Sequence, residues 1–240
     1  MFSYSNFAKS FLFPFGELFM GTKVSRYSSV YSKSQWYSKK RIENYQNKRL
    51  RQIVAIAYST VPYYNRKMNE LGLVPENIQS VDDLSKLPII DKEIIKNNFE
   101  DFISIYFRKK KFWNVRTGGT TGVPFEYLES SSTVSSRWAS IYRGWEWAGC
   151  NFGEKKAKMG GSSLVPNEQV PFHQKIRDVF EQNYNYPSAN LSSEMINDYL
   201  HSISDRKIKK IYGYPSTLST IAEYIISKNI ELDLDSVITT

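Results

Sequence analysis

The sequence predicts an α/β fold: a helical N-terminal region, followed by a mixed sheet with βαβ units. Three observations predict it. Apolar residues recur at helical spacing through most of the first hundred positions, two short strand-like runs flank a glycine-rich stretch near residue 120, and the last thirty residues alternate strand, helix and strand. With 240 residues, 41% hydrophobic and 15% aromatic, the chain can bury a sizeable core. The 32 basic residues against 24 acidic give +8, which favours anionic partners without choosing among them.

In chain order, Phe11 to Met20 is apolar but too short to span a bilayer and is interrupted by Pro14, Gly16 and Glu17. It reads as a helix packing on the domain, with peripheral membrane contact as the alternative. Residues 1–34 thus form an aromatic N-terminal segment ahead of a domain over 35–240. Six basic residues crowd Lys39 to Arg51, yet Ile42, Tyr45, Ile53, Val54 and Ala57 fall near one helical face, and Pro62 ends that helix near Ser59. Tyr63 to Leu71 forms another helix closed by Gly72. Ser80 and Asp91 are caps for further short helices, the first with Asp82 and Asp83 in its opening turn.

The run Arg108-Lys109-Lys110-Lys111 precedes the first strand. No stacking aromatics recur in step with these cations, so nucleic-acid binding is not expected. Phe112 to Val115 and Phe125 to Leu128 have strand composition, and between them lies Arg116-Thr117-Gly118-Gly119-Thr120-Thr121-Gly122-Val123-Pro124. Three glycines and three threonines can turn several N–H groups and hydroxyls toward one point, which suits a phosphate. A structural hairpin is the competing reading. A Walker A loop would need Gly-Lys-Ser/Thr opening a helix, and a dinucleotide fingerprint Gly-x-Gly-x-x-Gly between strand and helix; neither is present.

Val134, Trp138, Ile141, Trp145 and Ala148 mark a long amphipathic helix stopped by Gly149, its aromatic stripe read as core with Arg137 and Arg143 projecting. Lys156 to Met159 reads as a short strand entering the turn Gly160-Gly161, followed by a helix around His173 to Phe180. Ser192 caps a helix with Met195, Tyr199 and Ile203 on one side. Lys209 to Tyr214, Ser216 to Lys228 and Ser236 to Thr240 form a βαβ crossover, with Leu218, Ile221, Ala222, Ile225 and Ile226 facing inward. Cys150, the single cysteine, excludes an internal disulfide and fits a reducing cytoplasm. His173 and His201 are too far apart in sequence to suggest a metal centre.

Thr117-Gly118-Gly119-Thr120-Thr121-Gly122-Val123-Pro124 resembles the phosphate loop of the adenylate-forming enzymes, Ser/Thr-Ser/Gly-Gly-Ser/Thr-Thr-Gly-Lys-Pro, at seven of eight positions. Val123 stands where many members carry lysine. Short collinear matches ahead of the loop (Gln46 to Leu50, Val61-Pro62-Tyr63-Tyr64, Asp83-Leu84, Lys86 to Lys92) are similar to phenylacetate-CoA-ligase-like proteins, including the capsular polysaccharide branch. The segment from Arg143 to Lys155 resembles that branch too.

The resemblance implies the first part of an ATP-dependent ligase that activates a small carboxylic acid to an acyl-adenylate and passes it to coenzyme A or another acceptor. It implies phosphate contacts from Thr117, Gly118, Gly119, Thr120, Thr121 and Gly122, and places the turn Gly213-Tyr214-Pro215-Ser216 near the acyl substrate, with Tyr214 and Ser216 as pocket residues. The magnesium ligand, the ribose-binding aspartate and a C-terminal lysine are expected beyond Thr240, so the chain reads as cut there and inactive alone. A non-catalytic binding or scaffold protein that kept the fold is the competing expectation.

Overall fold

The computed structural model of the chain describes residues 4–106, 108, 112–117, 125–160, 172–188 and 190–239. The chain divides into two units, one built from its first 31 residues together with everything from Ser135 onward, the other from Ser32–Val134.

The N-terminal piece of the first unit is α1 (Tyr4–Phe7), a π-helical turn (Ala8–Leu12) and α2 (Phe13–Met20), which continue one another because every junction residue is right-handed helical. Gly21, at φ +63°, ends this helix and turns the chain into α3 (Val24–Ser34). Glu17, 6% exposed, folds back over that turn and accepts from the Ser25 N–H, the Ser25 hydroxyl and the Thr22 hydroxyl. Its charge thereby meets the open N–H groups of α3.

In the second unit, α4 (Lys39–Thr60) starts at Ser38, whose side chain accepts from the Arg41 N–H, and ends at Val61 in extended geometry, as Pro62 requires. Pro62 opens α5 (Pro62–Glu70). Val54, Met68 and Ile78 form the small core between these helices. The Ser80 cap forms with Asp83 as its capping-box partner, but the segment it opens, Val81–Lys86, is a 3-10 helix. Lys86 and the Gln79 and Ser80 N–H groups hold the Asp83 carboxyl below its usual range. Asp91 caps α6 (Lys92–Asn97) by accepting from the Ile94 N–H at 2.8 Å. The unit closes with an antiparallel hairpin, β1 (Trp113–Arg116) and β2 (Glu126–Glu129), in register Trp113 with Glu129 and Arg116 with Glu126.

The first unit resumes with α7 (Ser131–Trp147), whose C-terminal part it contains, followed by β3 (Lys156–Met159), α8 (Phe172–Phe180), β4 (Asn183–Tyr186), α9 (Ser193–Asp205), β5 (Lys210–Gly213), α10 (Pro215–Ser227) and β6 (Ser236–Thr239). The four strands pair in parallel in the order β4-β3-β5-β6. The expected antiparallel and βαβ components therefore occupy two separate sheets.

Strand alternation gives the parallel sheet two faces. Ala157, Met159, Ile211 and Tyr186 pack against Ile196, Leu200 and Ile203 of α9 and Ile221 of α10. On the other face Tyr212 and Ile238 meet Tyr142 and Trp145 of α7, in a cluster joined by Ala8, Val24, Cys150 and Phe152. Two helix faces differ from expectation. On α9, Ile196 and Leu200 are buried beside Ile203, and Met195 is not. On α10, Ile226 is 78% exposed and Ala222 also faces solvent, while Leu218 and Tyr224 pack inward beside Ile221. In a helix with 3.6 residues per turn, Leu218, Ile221 and Ile225 complete a stripe, and Ile226 falls a further 100° round.

Where α7 and α8 cover the sheet, the interior is polar. Glu181, 1% exposed, accepts from the Tyr142 hydroxyl at 2.5 Å and from Asn183 at 3.0 Å. Asn183 and Asn185 also donate to Asp178, at 3.0 and 2.8 Å. Lys156, 2% exposed, donates to the Glu181 carbonyl and lies 5.2 Å from the Trp145 ring centroid. A cavity of about 50 Å³ lies among these groups. Burial, reinforced by the Glu181 carboxylate, holds the Tyr142 phenol well above its ordinary range. Tyr142→Phe leaves that carboxylate short of a donor and is expected to cost about 1–3 kcal/mol near neutral pH. Because the native phenol binds its proton more tightly than the unfolded one, this stabilisation is complete below the ordinary phenol value of about 10 and is lost as pH rises through the native value. The gap between the urea midpoints of wild type and variant should therefore shrink in alkali; a constant gap would contradict the Tyr142–Glu181 contact.

Candidate functional site

Two places combine chemistry with a suitable backbone, one in each unit. In the second unit the hairpin presents the glycine- and threonine-rich stretch. Arg116 and Thr117 are the described residues of that stretch: the Thr117 N–H donates to the Phe125 carbonyl at 2.9 Å, and its hydroxyl accepts from the Phe125 N–H at 3.1 Å. The Thr117 oxygen thus closes the hairpin, and the hydroxyl keeps its own hydrogen to donate. Arg116 pairs with Glu126 across the neighbouring rung at 2.7 Å, so its charge is answered within the hairpin. Gly118, Gly119, Thr120, Thr121 and Gly122 lie outside the described residues. At the foot of the hairpin, Phe112, Phe125, Tyr127, Phe99, Phe102 and Ile95 line a cleft of about 310 Å³, a volume within the range of small-molecule pockets.

In the first unit the sheet order defines a crevice. The chain winds from β3 to β4 on one side, then crosses β3 to place β5 on the other. The reversal lies between β3 and β5, and in open parallel sheets ligands bind beyond the carboxyl ends of strands at such a point. The residues there are Met159-Gly160 and Gly213-Tyr214. Gly160, at φ +106°, leaves the strand in a conformation open to glycine. A Cβ on it would stand 2.6 Å from the Tyr214 ring and 3.5 Å from the Ser188 hydroxyl. A Cβ on Gly213 would stand 2.6 Å from the Met159 carbonyl oxygen. Two glycines let the strand ends and the Tyr214 ring close together.

Of the residues expected near a substrate, Tyr214 is the last one before α10 and is 42% exposed, and Ser216 is exposed in the first turn of that helix. Both lie at the carboxyl edge of β5. Gly160, which the structure brings to Tyr214, and Ser188, which it brings to Gly160, were not expected there. The Gly160-Gly161 pair directly after the strand-like Lys156 to Met159 was the available signal for the first. For Ser188 there was none, because β4 reads Asn-Tyr-Asn-Tyr, and asparagine is depleted in strands. Burial raises the Cys150 thiol above its ordinary value, which disfavours the thiolate and keeps this residue out of nucleophilic chemistry. Among the described residues no group of three or more His, Cys, Asp or Glu side chains could hold a metal ion.

Comparison with known proteins agrees with this architecture. No protein-family model matches the chain. Among curated proteins it is 26% identical over 194 residues to Protein CapK of Staphylococcus aureus, covering 78% of this chain and 41% of that one. It is 29% identical over 79 residues to the phenylacetate-coenzyme A ligase of Thermus thermophilus, covering 33% of this chain and 18% of the relative. Among solved structures, 2-hydroxyisobutyryl-CoA ligase in complex with 2-HIB-AMP and CoA superposes with a TM-score of 0.55 at 19% identity, over 80% of this chain and 41% of the ligase. The chain is similar to the N-terminal part of the adenylate-forming enzymes. Its fold is that of a partial adenylate-forming domain, and it spans about 41% of the length of CapK. No described helix is long and apolar enough to cross a membrane.

Proposed function

We propose that the chain is the N-terminal portion of an ATP-dependent ligase that converts a small carboxylic acid to an acyl-adenylate and passes the acyl group to coenzyme A or another acceptor. The similarity to CapK supports capsular or envelope polysaccharide assembly as its setting. The observation that carries the reading is the hairpin: the stretch that matches an adenylate-forming phosphate loop at seven of eight positions is framed by Thr117 and Phe125 in a chain with an acyl-CoA-ligase fold. ATP would supply the leaving pyrophosphate. The amides of Gly118, Gly119 and Gly122 and the hydroxyls of Thr117, Thr120 and Thr121 would hold its β- and γ-phosphates, placing donors where negative charge accumulates. Tyr214 and Ser216 would line the acid's pocket, with Gly160 leaving room for the Tyr214 ring.

The reading is tested by mass spectrometry of the longest product of the coding sequence, incubated with ATP, coenzyme A and a panel of carboxylic acids. An acyl-adenylate or thioester is expected for a narrow set of acids, and Tyr214→Ala is expected to shift that set toward bulkier ones by roughly tenfold in relative kcat/KM. An acid profile unchanged by Tyr214→Ala would remove Tyr214 from the pocket. The 240-residue chain by itself should bind ATP or pyrophosphate weakly and form no acyl-adenylate, because phosphate contacts alone do not orient a carboxylate for in-line attack. A second reading, a non-catalytic binding or scaffold protein, is favoured by Val123 standing in the lysine position. It predicts nucleotide binding without acid-dependent product.

A further inference from the structure

The helix running from Tyr4 to Met20 has two different faces. Ala8 is fully buried, and Phe13 packs 4.5 Å from Phe152 and 6.0 Å from Tyr142, ring centroid to centroid. On the outward side Phe11 is 66% exposed, Phe15 63% and Leu18 79%, with Phe7 stacked on Phe11 at 5.7 Å. Separations of four, four and three residues place Phe7, Phe11, Phe15 and Leu18 along one stripe of the helix. Single exposed apolar side chains are ordinary on protein surfaces, whereas a contiguous row of large ones marks a binding surface.

Along the sequence around this stripe the charges are nearly all of one sign. From Met1 to Ile42 the sequence holds seven basic residues and a single acid, Glu17. That acid is 6% exposed and turned inward onto the start of α3. Lys9 pairs with Glu146, while Lys23 and Arg26 stand exposed before and at the start of α3. Two copies of such a segment would repel one another, so self-association through the stripe is electrostatically disfavoured. An anionic lipid surface offers both what the phenyl and leucyl groups need and what the cations need.

We propose that this helix seats the protein on an anionic lipid surface, with Phe11, Phe15 and Leu18 entering the headgroup–acyl boundary and Lys23 and Arg26 facing the headgroups. The inference does not rest on the ligase reading. It fits an interfacial helix rather than a spanning one, since no described helix could cross the bilayer.

The test is flotation of the 240-residue protein with vesicles of phosphatidylcholine alone and of phosphatidylcholine with roughly one-third phosphatidylglycerol. Binding should be roughly tenfold or more stronger to the anionic vesicles and should fall as salt is raised. Phe11→Ser/Phe15→Ser/Leu18→Ser should lower partitioning at least about tenfold with an unchanged melting midpoint. Should that variant fold poorly, Lys23→Glu/Arg26→Glu leaves the apolar stripe intact and should weaken anionic binding about tenfold. Absence of binding to anionic vesicles overturns the proposal, as does equal binding by the charge-reversed variant. It is equally overturned if the protein is a dimer in solution that the triple substitution dissociates, since the stripe then meets a second copy.

Discussion

Gly213→Val is expected to abolish the cooperative fold of the parallel-sheet unit. Gly213 lies where β5 is hydrogen-bonded between β3 and β6, opposite Met159 on one side and Thr239 on the other. Its φ is not positive, so the constraint is space rather than backbone conformation. The first added carbon would stand 2.6 Å from the Met159 carbonyl oxygen, 3.1 Å from Met159 Cβ and 3.4 Å from Leu218 Cδ2. Two of these atoms belong to the rigid neighbouring strand and cannot rotate away. Alanine should cost about 1–3 kcal/mol, and valine, with two further carbons, enough to exceed ~4 kcal/mol. Gly144, in the last turn of α7 with nothing within 4 Å of an added Cβ, is the control. Gly144→Ala should stabilise by up to about 1 kcal/mol through helix propensity. Urea melts of the three proteins check this; an unaltered midpoint for Gly213→Val would mean that β3 and β5 do not approach as described.

Thr120→Ala/Thr121→Ala is expected to have the largest effect on ligand binding. Hydrogen bonds to a charged group contribute about 1.5–3 kcal/mol each, so removing two hydroxyls from a phosphate site should weaken ATP and pyrophosphate by roughly a hundredfold or more. Thr117→Ala removes the acceptor for the Phe125 N–H and should loosen the hairpin in addition. Isothermal calorimetry with pyrophosphate and ATP separates the cases: equal affinity for wild type and the double variant would take the loop out of the site.

The elements most legible in the sequence were those punctuated by residues with one physical reading. Pro62 sets the α4–α5 boundary, and Ser192 and Asp91 accept the N–H bonds expected of caps. The β5-α10-β6 crossover was equally clear, because its strands and helix differ in period. Legibility failed where tertiary context decides. β4 is half asparagine and forms a strand because Asn183 and Asn185 reach buried carboxylates beneath α8. The outward Ile226 could not be told from its inward neighbours by composition, only by an angle of 100°. The crevice between β3 and β5 follows from strand order, which no local pattern encodes. That is why Tyr214 and Ser216 follow from family resemblance and Gly160 leaves only the signal of a glycine pair, while Ser188 is visible in the structure alone.

The central claim, that this chain is part of an enzyme that adenylates a carboxylic acid, is tested most directly by isotope exchange between pyrophosphate and ATP. The longest product of the coding sequence should exchange label only when a suitable acid is present. The exchange should fall by roughly a hundredfold or more when Thr120 and Thr121 are both replaced by alanine, following the loss of two charge-assisted hydrogen bonds. Exchange that ignores added acid, or none with any acid across a broad panel while ATP still binds, would contradict it.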